Sequence, residues 1–260
     1  MHGLDLFSGY GGITLALSEW VIPVAYCEID RYAQGILLSR MSENKLPIAP
    51  IWDNIQTFSG KQFRGKVDIV YGGFPCQDIS TAGNGSGLEG ERSGLFFELC
   101  RVVKEVSPIF IFLENVPAIR TRGLREVVVQ LTNMGYDCQW TSVSALEVGA
   151  NHVRKRWFLL GFSRYTQKGQ KTSQKKNFPN ANDKRLSISE KYNAKGRITT
   201  SKCKSGAVSN FNRYCWRSHK SKVDRVDDGC SNRVDRIKAL GNGVVPLQAK
   251  TAFEKLIGYY

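Results

Sequence analysis

Short apolar runs alternate with helix-length stretches through the first 160 residues, and no other feature limits the possible folds so tightly. Runs at residues 3–7, 21–27, 67–71, 109–113 and 157–162 are five to seven residues long and bounded by Gly, Pro or charged residues. That length and punctuation predict buried β-strands. Between them, residues 13–20, 31–41, 95–106 and 123–134 carry helical apolar spacing. Strands alternating with helices predict an α/β protein with a mostly parallel sheet covered on both faces. Such sheets bind ligands beyond the carboxyl ends of their strands, so the residues just after each strand are the ones to inspect.

The pattern stops at Arg164. From there to about Arg225 Lys, Ser, Asn, Gln and Thr dominate and aliphatic residues are scarce; α/β character returns over residues 239–256. There Asn242 and Gly243 supply a turn, and Pro246 opens a predicted helix with Leu247, Ala249, Ala252, Phe253 and Leu256 at apolar positions. The expected organisation is therefore one body, residues 1–163 with 236–260, interrupted by a small region at 164–235. Charge divides the same way. Residues 164–235 hold 18 Lys and Arg against 6 Asp and Glu, a surplus of +12, out of +14 for the whole chain of 260 residues. A block of this kind suits a polyanion, and its composition equally suits a solvated, partly disordered loop.

No run of eighteen apolar residues occurs, which predicts no transmembrane helix, and the N-terminus has no charged region followed by an apolar one. A cytoplasmic protein is expected. Its seven cysteines include no C-x-x-C pair, so neither a disulfide framework nor a metal site is predicted.

Four strand ends carry residues suited to chemistry. The first runs into Asp5-Leu6-Phe7-Ser8-Gly9-Tyr10-Gly11-Gly12, where glycines let the backbone approach a ligand and a helix N-terminus offers amide donors. The second ends at Glu28, placed either to bind ribose hydroxyls or to cap a helix. The third leads into Gly72-Gly73-Phe74-Pro75-Cys76-Gln77. A lone cysteine is usually buried and inert, yet this one is followed by a long loop containing Gly83, Gly85, Gly87, Gly90 and Gly94, the composition of a functional lid or a disordered segment. The fourth ends in Glu114-Asn115-Val116-Pro117. An acid leaving so apolar a strand should be partly buried and its pKa raised, unless it simply caps the next segment. Further on, Arg154-Lys155-Arg156 enters the last strand as a solvated edge or an anion-facing cluster.

Taken in order, DLFSGYGG, YCEID, WDNI, GGFPCQ, ENV, VRKR and KALGNGVVP resemble the motifs of the DNA (cytosine-5) methyltransferases of prokaryotes and phages, over residues 3–163 and 233–257. The resemblance implies a Rossmann-like S-adenosylmethionine-dependent methyltransferase fold with a small variable DNA-recognition region. It places Phe7, Gly9 and Gly11 against S-adenosyl-L-methionine, Glu28 on its ribose, and Asp53 and Asn54 on its adenine. Pro75 and Cys76 match the Pro-Cys pair, with Cys76 the nucleophile. Glu114 and Asn115 match the Glu-Asn-Val motif, and Arg154 and Arg156 two arginines of the basic catalytic motif, although Val153 stands where many relatives are polar. Asn242 and Val244 match the C-terminal motif that packs beside the first glycine loop.

The implied activity is methyl transfer to C5 of cytosine in duplex DNA through a covalent Cys76 adduct on a flipped-out base. Double-stranded DNA is the implied partner, bound in part by residues 164–235, and a monomer is expected. No nuclease site is visible, so a cognate restriction endonuclease would be a separate protein. The same residues would serve an RNA cytosine-5 methyltransferase. A catalytically weak DNA-binding protein could share the fold, but intact Cys76, Glu114 and Arg156 weigh against it.

Overall fold

The computed structural model describes residues 1–75, 94–164 and 243–258. All of them belong to one unit, Met1–Gln174 with Asp227–Tyr260. Cys76, Asn242 and residues 165–235 of the expected recognition region lie outside the described residues.

Seven strands form one sheet in the order β3-β2-β1-β4-β5-β7-β6. They are β1 (His2–Leu6), β2 (Ile22–Cys27), β3 (Ile51–Trp52), β4 (Ile69–Gly73), β5 (Phe110–Asn115), β6 (Tyr136–Ser144) and β7 (Lys155–Ser163). β1 to β5 are mutually parallel, while β7 runs antiparallel to both β5 and β6. The helices are α1 (Gly12–Leu17), α2 (Arg31–Ser42), α3 (Gly94–Val106), α4 (Ile119–Arg122), α5 (Leu124–Asn133) and α6 (Pro246–Ile257).

All five expected strands and five expected helices form, within a few residues of their predicted bounds. Two strands escaped the sequence. β3 has two residues, too few to leave a pattern. β6 reads Tyr-Asp-Cys-Gln-Trp-Thr-Ser-Val-Ser because it pairs with β7 alone and leaves much of its length half-exposed. Between β6 and β7 lies only a 3-10 turn at Leu146–Val148, so the pair closes as an antiparallel hairpin rather than by the crossover that a parallel strand requires.

Period-two alternation along the central strands explains the three layers. On one face Ile111 and Leu113 of β5 and Trp157 and Leu159 of β7 pack with Leu99 and Val103 of α3 and Val127 and Leu131 of α5. Turned the other way, Phe112, Phe158 and Leu160 meet Leu17 of α1 and Ala249, Phe253 and Leu256 of α6. Phe253 seats its ring edge-on to Phe112 at 5.3 Å. Pro246 does open α6, but Leu247 faces outward, 45% exposed, and fully buried Gln248 takes an inward position. Its side-chain amide donates to the carbonyls of Val143 and Arg154, which makes a polar residue tolerable there.

From β1 the chain winds outward to β2 and β3, then returns to place β4 on the other side of β1. This reversal opens a crevice between the loops that leave β1 and β4.

Candidate active site

A cleft of about 490 Å³ occupies that crevice. Ten of the residues singled out in the sequence line it: Phe7, Gly9, Glu28, Asp53, Asn54, Pro75, Glu114, Asn115, Arg156 and Val244. They come from the carboxyl ends of β1 to β5, the start of β7 and the C-terminal segment.

At one end the loop after β1 alternates conformations, with Phe7, Gly9 and Gly11 at φ of 55°, 53° and 77°. A side chain at Gly9 would meet nothing within 4 Å, so that backbone is open to the cleft. Gly11 does not line it; a Cβ there would lie 2.6 Å from Leu46, and the residue serves the entry to α1. Glu28 stands across the loop. One carboxylate oxygen accepts the Gly9 N–H at 2.7 Å and the other the Asp30 N–H at 2.8 Å. Burial pushes its pKa up and these two amides pull it back. Glu28 thus ties two loops together and still has lone pairs for ligand hydroxyls. Helix capping falls instead to Asp30, which accepts from the Tyr32 and Ala33 amides.

Asp53 and Asn54 leave β3 in a tight turn, the Asn54 side chain accepting from Gln56 N–H. Ile29, 70% exposed, adds an apolar wall beside Glu28. A carboxylate at a strand end, open glycine backbone, and an exposed aliphatic residue near a polar turn suit a ligand with ribose and a flat base. The cleft volume is in the range of small-molecule sites.

The other end is more deeply buried. Glu114, 8% exposed, pairs with Arg156, whose Nε lies 2.8 Å from its Oε1. Desolvation raises the Glu114 pKa to about 7 against the pull of Arg156 and Arg154. The acid is therefore poised to exchange a proton near neutral pH. Asn115 does something different. Its amide donates to the carbonyl of Phe74 at 3.2 Å and its Oδ1 accepts the Val116 N–H. It fastens the segment just before Pro75 and Cys76 to the end of β5 and acts as a positioning residue.

Arg154 lies behind the cleft rather than in it, donating to the carbonyl of Gly243. Val244 is buried against α1, and its carbonyl accepts from Tyr10 Oη at 3.1 Å. Sequence reasoning passed over Tyr10, whose backbone carbonyl also accepts from Arg40. No signal marked that contact, since Tyr10 and Val244 are 234 positions apart.

Fold and cleft define a doubly wound α/β protein with its ligand crevice at the switch point of the sheet. Residues 1–240 match the family model of the C-5 cytosine-specific DNA methylases, and the chain belongs to that family. It is 36% identical over 158 residues to type II methyltransferase M.CviJI of Paramecium bursaria Chlorella virus IL3A, covering 60% of this chain and 42% of that one. With type II methyltransferase M.NgoBI of Neisseria gonorrhoeae it shares 32% over 171 residues, covering 62% and 50%. The chain thus spans about half the length of the curated relatives it matches, or less. Among solved structures, Entamoeba histolytica methyltransferase EhMeth shares the fold with a TM-score of 0.54 at 18% identity, over 62% of this chain and 52% of that one.

Proposed function

We propose that the protein transfers a methyl group from S-adenosyl-L-methionine to C5 of cytosine in duplex DNA. The buried Glu114–Arg156 pair, lining the same cleft as Pro75, Glu28 and the glycine loop after β1, is the observation that carries this reading. Phe7, Gly9, Glu28, Asp53 and Asn54 would hold the cofactor, which when bound supplies an electrophilic methyl on sulfonium sulfur.

Cytosine C5 is too weak a nucleophile to take that methyl unaided. The Cys76 thiolate adds to C6, forming an S–C6 bond and pushing electron density to C5. Glu114, its Oε1 held by Arg156, carries a proton on Oε2 and donates it to ring N3 as negative charge develops there. After C5 takes the methyl group, the C5 proton passes to water, its electron pair forms the C5–C6 double bond and expels the Cys76 thiolate, and the N3 proton returns to Glu114, which restores the aromatic ring and the enzyme. A base within a duplex cannot reach such a recess, so it must rotate out of the stack. A single chain performs this reaction, and any cleavage of unmodified DNA belongs to a separate cognate endonuclease.

The test is methyl transfer from tritiated cofactor to mixed-sequence duplex DNA, with bisulfite sequencing of the product and matched transfer RNA in parallel. Methylated cytosines in one recurring duplex context are expected, and Cys76→Ser should abolish them while cofactor binding persists. Incorporation into RNA alone, or none with the cofactor bound, would overturn the proposal.

A further inference from the structure

The segment carrying Asp53 and Asn54 has little regular structure of its own, yet it is anchored. Arg101 of α3 makes four contacts on one fork. Its Nη2 donates to the carbonyl of Ile55 at 2.7 Å and its Nη1 to that of Phe58 at 3.0 Å. Glu98 and Glu105 hold the guanidinium from its own helix at 2.8 and 2.9 Å. The other Glu105 oxygen accepts the Gly60 N–H at 2.7 Å, a second anchor five residues downstream of Ile55. Contact there is close: a Cβ on Gly60 would stand 2.9 Å from Val106 Cγ2 and 3.1 Å from the Val102 carbonyl. Phe58 stacks on Phe63 at 5.6 Å and meets Trp52 edge-on at 6.0 Å, so the segment is packed as one piece.

We infer that Arg101 is a positioning residue for base recognition, setting Asp53 and Asn54 in register with the cleft through the carbonyls of Ile55 and Phe58. The inference rests on the reading of this cleft as an S-adenosylmethionine site and extends it to a residue that does not line the cleft. A guanidinium suits the task because its planar fork reaches two carbonyls and two carboxylates at once; an ammonium cannot. Ile55 is next to Asn54, so a shift of its carbonyl is passed directly to the turn. α3 also begins at Gly94, eighteen residues after Cys76, so one helix both anchors the base-recognition turn and receives the chain that leaves the nucleophile.

The experiment measures binding of S-adenosylhomocysteine and of its hypoxanthine counterpart, which lacks the exocyclic amine, to the wild-type chain and to Arg101→Met. The wild type should prefer adenine. Arg101→Met should weaken adenine binding about tenfold, the scale of a lost charged hydrogen bond, and shrink the adenine preference, with kcat at saturating cofactor nearly unchanged. Gly60→Ala, which strains the same anchorage from the other side, should shrink the preference too. Arg64→Ala is the control. It removes bonds to the Glu105 and Lys104 carbonyls at the end of α3 and touches neither Ile55 nor Phe58, so the preference should stay. An unchanged preference in Arg101→Met and Gly60→Ala, or equal weakening of both ligands, would overturn the inference. Failure of the wild type to bind either ligand would sink the cofactor reading, and this inference with it.

Discussion

Two buried acids sit near the ends of the parallel strands β1 and β5, with β4 between them, and only one is placed to act. Asp5 is 1% exposed and accepts from Thr14 Oγ1 at 2.6 Å, which in turn meets Tyr71 Oη at 2.9 Å. Burial raises its pKa to about 8, but its partners are structural and it does not reach the cleft. Glu114, at about 7, lies in the cleft beside Arg156. A raised carboxyl pKa means the folded chain keeps a proton that the unfolded chain releases. Both acids therefore weaken folding as pH climbs from about 4 towards 7 and 8. For catalysis the sign is the same, because the donating form of Glu114 is lost above about 7. We expect kcat/KM to fall as pH rises through that value, since it belongs to the free protein. Glu114→Gln should cost roughly 100-fold or more in kcat and remove that descending limb. A variant with near-normal turnover, or an unchanged limb, would take the proton-donor role away from Glu114.

At the scale of elements, β4 shows how one strand serves both fold and site. Gly72 and Gly73 are adjacent, so their missing side chains point to opposite faces. A Cβ on Gly72 would stand 1.9 Å from the Leu6 carbonyl, a rigid backbone atom of the paired strand β1. On Gly73 it would stand 2.6 Å from Glu114 Oε2, the end of a side chain that can turn away. Gly72→Ala should therefore destabilise the sheet, by about 2 kcal/mol or more for forced overpacking, read as a fall in Tm. Gly73→Ala should fold with a Tm near wild type but lose turnover, since the displaced carboxylate no longer meets the base. Equal losses of Tm in the two variants would show that Glu114 is not free to move. The sequence made β4 and its exit conspicuous, because a fully buried strand followed by Gly-Gly-Phe-Pro-Cys has few other readings. It also marked ten of the residues that line the cleft, most of them because they sit at or just past the carboxyl ends of strands. What it hid depended on distance or brevity. The two-residue β3, the polar edge strand β6, the Tyr10–Val244 contact and the hold of Arg101 on Ile55 leave no local pattern, since each is defined by a partner elsewhere in the chain.

For the whole molecule, the division of charge decides how substrate is reached. Outside residues 164–235 the chain carries 19 Lys and Arg against 17 Asp and Glu, close to neutral, so nearly all of the +14 surplus belongs to one contiguous stretch. A near-neutral body is a poor magnet for a polyanion, whereas a surplus of +12 in 72 residues gives a strong local potential. If that stretch supplies the phosphate contacts, each neutralised phosphate releases counterions, and log affinity falls with log salt at a slope of about −0.9 per contact on duplex DNA. Replacing Lys175, Lys176, Lys184 and Arg185 by Gln together should flatten the slope by up to about 3 to 4, in proportion to how many of the four touch phosphate. Cofactor affinity should not change, because the substitutions leave Phe7, Gly9, Glu28, Asp53 and Asn54, the proposed cofactor residues, intact. Duplex binding at a series of salt concentrations, with cofactor titration of the same variant, separates the two effects. An unaltered slope would move the DNA-binding surface away from this part of the basic stretch, and a loss of cofactor affinity would show that the stretch supports the cleft itself.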